Sequence, residues 1–213
     1  MTSKYTVDRR WVVGTIGIGA AAGLAGCLGG SGEDTNGAED DVDEGMDDAE
    51  GDDDEVSLSE PVDFPESDDE GECAVCNMVA AEYPDWNAQL VHEDGHREYF
   101  CSKGCLVAYY FAPEKFSSGN PDEEIAGVWA TCFQSGDLID AMEAYFVYEQ
   151  DRERHEFPMP MGSPLAFRTR EDAVSYVAED DDLTEDDHIL TLEDVDREVA
   201  ETYREPRLEE MSD

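Results

Sequence analysis

From Ala88 onward the chain alternates short apolar runs with turn chemistry. Ala88–Val91 alternates as a strand, Glu93-Asp94-Gly95 makes a hairpin turn, and Arg97–Phe100 returns as a second strand. Ser102 is a good N-cap for a helix from Lys103 to about Phe111, stopped by Pro113. Ile125–Phe133 then reads as a further strand, completing a β-β-α-β unit. The order repeats: Tyr145–Tyr148 and Leu165–Phe167 are strands, and Thr169 caps a helix near Arg170–Ala178 with Asp172 three residues on. Ile189–Leu192 closes the second unit, and an amphipathic helix to about Tyr203 follows. The predicted fold is α+β, two β-β-α-β units in one compact domain.

Upstream the pattern changes. Arg9-Arg10 stands directly before an apolar stretch, Val12 to Ala25, too short and too rich in Gly and Ala to span a membrane comfortably. A charged n-region, an apolar h-region and the small residues of Leu24-Ala25-Gly26-Cys27 form the order of a twin-arginine export signal ending in a lipobox, residues 1–27. Cys27 is then the lipidation site, and the expected location is the extracytoplasmic face of the cell membrane. Residues 28–72 carry 21 acids and no Lys or Arg. With few large apolar side chains they cannot offset their ordering entropy, and they read as a disordered acidic linker. The folded domain is expected over 73–207, with an acidic tail at 208–213.

Charge narrows the function classes. The chain has 213 residues, 56 acidic against 13 basic, for a formal net charge of −43. Phosphate neutralisation needs clustered Lys and Arg, so nucleic acid is excluded as a partner. The acid excess persists past the linker, which reads as a surface adapted to high salt, a halophile-like property that says nothing about activity.

Chemistry enters with sulfur. Cys73 and Cys76 form a C-x2-C pair, Cys101 and Cys105 a C-x3-C pair. Four thiolates in two close pairs suit a tetrahedral ion such as structural zinc, and two disulfides are an alternative in an oxidising compartment. Neither accounts for Met78, two residues past Cys76, or for Met159 and Met161 in the loop Pro158-Met159-Pro160-Met161-Gly162. The prolines keep that pair off a helix face, where core methionines usually sit. Thiolate plus thioether is the soft donor set that favours Cu(I).

These motifs in this order resemble the NosL family, the nitrous oxide reductase accessory lipoproteins. The resemblance is carried by Cys73-x-x-Cys76-x-Met78, Asp85-Trp86-Asn87-Ala88-Gln89-Leu90, Tyr99-Phe100-Cys101-Ser102-x-x-Cys105-Leu106, and Pro160-Met161-Gly162 leading into Leu165-Ala166-Phe167. It implies an extracytoplasmic Cu(I)-binding metallochaperone of denitrification, not an enzyme. Its partners would be nitrous oxide reductase and the membrane copper/sulfur assembly machinery. By position, Cys76 and Met78 match the family's C-x-M element and Met161 its Met before Gly. Asn77 stands where the family commonly has Gly, and Asn tolerates the left-handed backbone a tight turn needs. The duplicated β-β-α-β order is also what the resemblance implies.

The candidate metal ligands are therefore Cys73, Cys76, Met78, Met161, Met159, Cys101 and Cys105. His92, His96 and His155 are weaker candidates, His188 reads as surface, and Cys132 reads as a buried inert thiol. Tyr109, Tyr110 and Phe111 are expected in the core. No P-loop, dinucleotide fingerprint or Ser-His-Asp arrangement is present. Two competing readings remain: a four-cysteine structural-zinc module for protein recognition, and a thiol-dependent redox or organometal enzyme using the C-x2-C pair.

Overall fold

The computed structural model describes residues 57–67 and 70–210. The export signal, Cys27, the linker up to residue 56 and the last three residues of the tail lie outside the described residues.

Strands β1 (Ala88–His92) and β2 (Arg97–Phe100) form the expected antiparallel hairpin, with Ala88 opposite Phe100 and Val91 opposite Arg97. Gly95 supplies the turn's positive φ of 87°. Ser102 Oγ accepts from Cys105 N, starting helix α1 (Lys103–Phe111) as the capping rule requires. A four-residue helix α2 (Pro113–Phe116) follows, with Pro113 in its first turn. Strand β3 (Ile125–Thr131) pairs antiparallel with β1 on the side away from β2. A strand the sequence pattern did not suggest, β4 (Leu138–Asp140), extends the sheet to the order β2-β1-β3-β4. β3 therefore stops at Thr131, two residues short of the expected Phe133. The chain turns back there, Cys132 N donating to Asp137 O at 2.8 Å.

The second unit holds β5 (Tyr145–Val147), β6 (Leu165–Phe167), helix α3 (Arg170–Val177), the short helix α4 (Glu185–His188) and β7 (Ile189–Leu190). β5 is central in an antiparallel sheet ordered β6-β5-β7. Thr169 caps α3 as expected, accepting from Asp172 N at 3.2 Å. β7 ends at Leu190, where Thr191 and Asp194 close a reciprocal capping box over one 3-10 turn. Helix α5 (Arg197–Glu210) runs past the expected Tyr203, with a kink at Arg204 and Pro206 inside. The tail proposed to begin at 208 thus starts as helix. No described helix is long and apolar enough to cross a membrane.

Two apolar clusters result. The larger joins the first sheet, α1 and α5, and includes Leu90, Phe100, Leu106, Tyr109, Val128 and Tyr203. The smaller packs α3 on the second sheet through Val147, Leu165, Phe167, Ala173 and Val177. Phe133 N donates to Ala166 O and Cys132 bridges Ala166, so the end of the first sheet docks on β6.

All five residues of β1 are buried, not the alternation its sequence suggested. The linker is the reason. Residues 57–64 lie along the sheet as a strap, with Gln89 exchanging bonds with both Val62 N (3.0 Å) and Val62 O (2.7 Å). Arg97 donates to Ser57 O at 2.6 Å, and Phe64 packs on Tyr99. The end of the linker thus belongs to the fold, and the boundary at 73 moves back to at least Ser57.

Candidate metal centre

The first cysteine pair sits on a tight knuckle. Cys76 N and Asn77 N both donate to Cys73 O, at 3.2 and 2.9 Å, while Cys73 N donates to Met78 O at 2.8 Å. Asn77 takes the expected left-handed conformation, with φ 61°, the one described non-glycine residue to do so. Cys73 forms a parallel bridge with Tyr99, and Ala74 N donates to Tyr99 O, which docks the knuckle on the end of β2. Cys101 follows β2 immediately, and Cys105 lies in the first turn of α1. A strand end, a helix start and a knuckle thereby converge four thiols separated by up to 32 positions.

The four sulfurs lie within 4.8 Å of one another and all four residues are buried. Cys76 Sγ is 3.4 Å from Cys101 Sγ and 3.8 Å from Cys105 Sγ, and Cys101 and Cys105 are also 3.8 Å apart. None of the five described cysteines is in a disulfide. A tetrahedral ion with bonds of about 2.3 Å requires sulfur separations of about 3.8 Å. The observed set fits one soft ion at its centre with little rearrangement.

The thiols are electrostatically unlike. Burial and the neighbouring thiols push Cys73 well above the usual thiol range, and the hydrogen bond with Cys105 leads in pushing Cys101 up. The hydrogen bond from Cys101 leads in drawing Cys76 down. Burial alone would raise Cys105, yet hydrogen bonds from the other three thiols and the charge of Arg204 hold it well below the usual range. Of the four thiols, Cys105 is the one whose ionised form its surroundings favour most.

Arg204 was not among the residues singled out from the sequence. It reaches the cluster from α5, 2% exposed, with Nε donating to Cys105 Sγ at 3.0 Å and Nη2 to Ser102 Oγ at 2.5 Å. Nη1 donates to Tyr203 O at 2.5 Å and Gly162 O at 3.3 Å. Burial works against its charge, but the Cys105 sulfur beside it more than compensates and keeps the guanidinium protonated. A readable signal existed: Ala200, Arg204 and Leu208 recur every four residues, placing an arginine on the apolar stripe of a helix.

Met78 and Met159 pack, half-buried, against the apolar cluster that contains the four thiols. Met161 instead lines an acidic cleft along α5 with Asp196, Glu198, Glu201 and Glu205. The methionine loop and the thiols are joined through one group, since the carbonyl of Gly162 and the sulfur of Cys105 share the Arg204 guanidinium.

The group of metal-capable side chains contains no histidine. His92 is buried, with its ring nitrogens on Glu123 O and Tyr109 Oη. His96 bonds Glu98 and Ser118, His155 bonds Tyr176 Oη inside an aromatic cluster, and His188 bonds Thr184. Cys132 is buried as expected and lies apart from the group of four. Tyr109 is fully buried, whereas Tyr110 and Phe111 are half-buried at the helix end. Lys103 is buried between Asp85 O (3.2 Å), Thr131 O (3.1 Å) and the face of Trp86; burial pushes its ammonium down to about 7.

Comparison with known proteins gives one family: the NosL model matches residues 64–200. Among solved structures, the copper chaperone NosL from Shewanella denitrificans is similar at 17% identity and a TM-score of 0.45. That match covers 65% of this chain and 99% of the other. No curated protein matches the chain.

Proposed function

Because the chain belongs to the NosL family, we propose that it is a Cu(I) metallochaperone whose cargo sits in the four-thiol cluster. The observation that carries this reading is four buried, unbridged sulfurs within 4.8 Å of one another. Thiolates hold Cu(I) in preference to harder ions, and the half-buried thioethers of Met78 and Met159 border the same core. Binding displaces protons from the thiols that are not already ionised, so loading acidifies the solution. Cu(I) is content with two or three sulfurs, so a recipient thiolate or thioether attacks the ion while one cysteine lets go. No bond to carbon forms or breaks, and the protein is not an enzyme in this reading. In this reading Met161, which lines the acidic cleft beside α5, passes the ion onward.

The signal at 1–27 exports the protein and Cys27 anchors it by lipid at the extracytoplasmic face. The tether keeps it near the membrane machinery that assembles the copper sites of nitrous oxide reductase, raising the effective concentration of the pair.

One observation favours a second reading. Cys76, Cys101 and Cys105 lie 3.4–3.8 Å apart, close to the separations of a tetrahedral site, and Cys73 is within 4.8 Å of them, a set that structural zinc could also use. Competition titration of the reduced protein with Cu(I) in the presence of a high-affinity chelator, together with X-ray absorption counting sulfur neighbours, separates the two. The chaperone reading expects one Cu(I) with two or three sulfur neighbours, weakened in Cys76→Ser and Met78→Leu. A single zinc bound by all four cysteines, which excess Cu(I) fails to displace, overturns it.

A further inference from the structure

The guanidinium of Arg204 makes hydrogen bonds to four different residues and is 2% exposed. Holding a buried arginine is costly unless its charge is met, and here it is met by sulfur, not by a carboxylate. Among the described residues, the bonds of this cation go to a thiol, a hydroxyl and two carbonyls, and none to a carboxylate. The surroundings are shaped to admit it. A Cβ on Gly104 would lie 2.9 Å from Arg204 Nη2 and 3.0 Å from its Nη1, so α1 carries a glycine where the guanidinium passes. The backbone of α5 leaves helical geometry at Arg204 alone, with φ −144° and ψ 32°. This kink turns the side chain toward Cys105 instead of along the helix.

We propose that Arg204 is the positioning residue of the thiol cluster, its guanidinium offsetting the charge of the coordinated thiolates and tying ion occupancy to the seating of α5. The inference rests on the cluster being a metal site and deepens that reading. An ion held by several thiolates carries net negative charge in a buried site, and one fixed cation at hydrogen-bond distance neutralises part of it. The N–H···S bond also withdraws electron density from Cys105, making it the weakest donor of the four and the first to yield when a recipient attacks. The bond to Gly162 O passes the same constraint to the methionine loop.

The test compares reduced, full-length wild type with Arg204→Gln, Arg204→Lys and Gly104→Ala. Cu(I) and Zn(II) are titrated in parallel against chelators, Co(II) is used for its thiolate charge-transfer band, and amide hydrogen exchange is followed over α5 with and without metal. Partners of metal ligands outside the coordination sphere are typically worth 10–100-fold in affinity. Arg204→Gln is expected to lose about that much for both ions and to shift the cobalt band, with Arg204→Lys recovering part. Wild-type α5 amides should exchange more slowly when metal is bound, and Arg204→Gln should abolish that difference. If Arg204→Gln does not fold, Gly104→Ala decides, since it displaces the guanidinium and keeps its charge. Affinity and cobalt spectrum equal to wild type in a folded variant overturn the proposal. So does α5 exchange in wild type that ignores the metal. If wild type takes Zn(II) but not Cu(I), the copper reading fails, while the zinc ratio of variant to wild type still supports or refutes the role of Arg204.

Discussion

Replacing Glu149 with Gln tests the framework beneath the methionine loop. The Glu149 side chain is 1% exposed and accepts five hydrogen bonds. Two come from the backbone N–H groups of Gln150 and Asp151, both at 2.7 Å. Arg154 gives two more, from Nε at 3.0 Å and Nη2 at 3.2 Å, and Tyr176 Oη the fifth at 3.0 Å. The backbone carbonyl of the same residue accepts from Tyr203 Oη, next to Arg204, at 3.2 Å. An amide fits the space but turns one acceptor into a donor that faces donors. Removing one partner of a fully buried ion pair costs about 3–5 kcal/mol. Arg154 is 27% exposed and keeps an ion pair with Asp180, so its half of that penalty is mostly relieved by solvent. The expected cost is about 2–3 kcal/mol, in line with lost charged hydrogen bonds. For a domain of this size that corresponds to a fall in Tm of about 4–12 °C. Burial by itself would raise the Glu149 carboxyl, but the backbone amide of Asp151, then Arg154 and Tyr176, hold it below the usual carboxylate range. A depressed folded pKa contributes stability that is fully present above the unfolded value of about 4.3 and is lost as pH falls through the folded value. Thermal melts of reduced, metal-free protein from pH 3 to 7 should therefore show a constant gap between wild type and Glu149→Gln above about pH 5.5. The gap should narrow below about pH 4.3. A variant melting within about 2 °C of wild type at pH 7, or two curves parallel down to pH 3, would refute the reasoning.

Three further substitutions probe single features. Asn77→Gly should be neutral or slightly stabilising while Asn77→Ala costs about 1 kcal/mol in chemical denaturation, because the knuckle requires φ 61°. Gly162→Ala should cost about 1–3 kcal/mol, since φ is 81° and a Cβ would meet Glu149 O at 3.2 Å; the same denaturation curves measure it. Gln89→Ala should leave the domain folded but release the strap at Val62, seen as faster proteolysis near residues 57–64 at unchanged far-UV circular dichroism.

Features decided by near neighbours were legible in the chain. The β1–β2 hairpin follows from Asp94-Gly95, the starts of α1 and α3 from Ser102 and Thr169, and the knuckle from the spacing of Cys73 and Cys76. The strap was not, because uniform acidity argued for solvation. Its attachment depends on Gln89 and Arg97 binding its backbone, which no property of the strap's own side chains discloses. β4 was hidden for a similar reason, as three residues are too few to show a period and its pairing with β3 is what makes it a strand.

The candidate site divides along the same line. Spacing brought Cys73 beside Cys76 and Cys101 beside Cys105, but left open whether the pairs met. Their convergence is a consequence of register: the bridge between Cys73 and Tyr99 lays the knuckle against the last residues of β2, two positions before Cys101. A shift of one residue would send the Cys101 side chain to the other face of the sheet and dissolve the site. Arg204 lies 99 positions from Cys105 and owes its place to α5 packing on α1, a tertiary event with no local signature beyond one charge on an apolar stripe. The net charge of −43 pointed to the surface and away from this cation, although the buried site turns on it. For thiolate clusters in acidic chains, the informative arginine is the one on the wrong face of its helix.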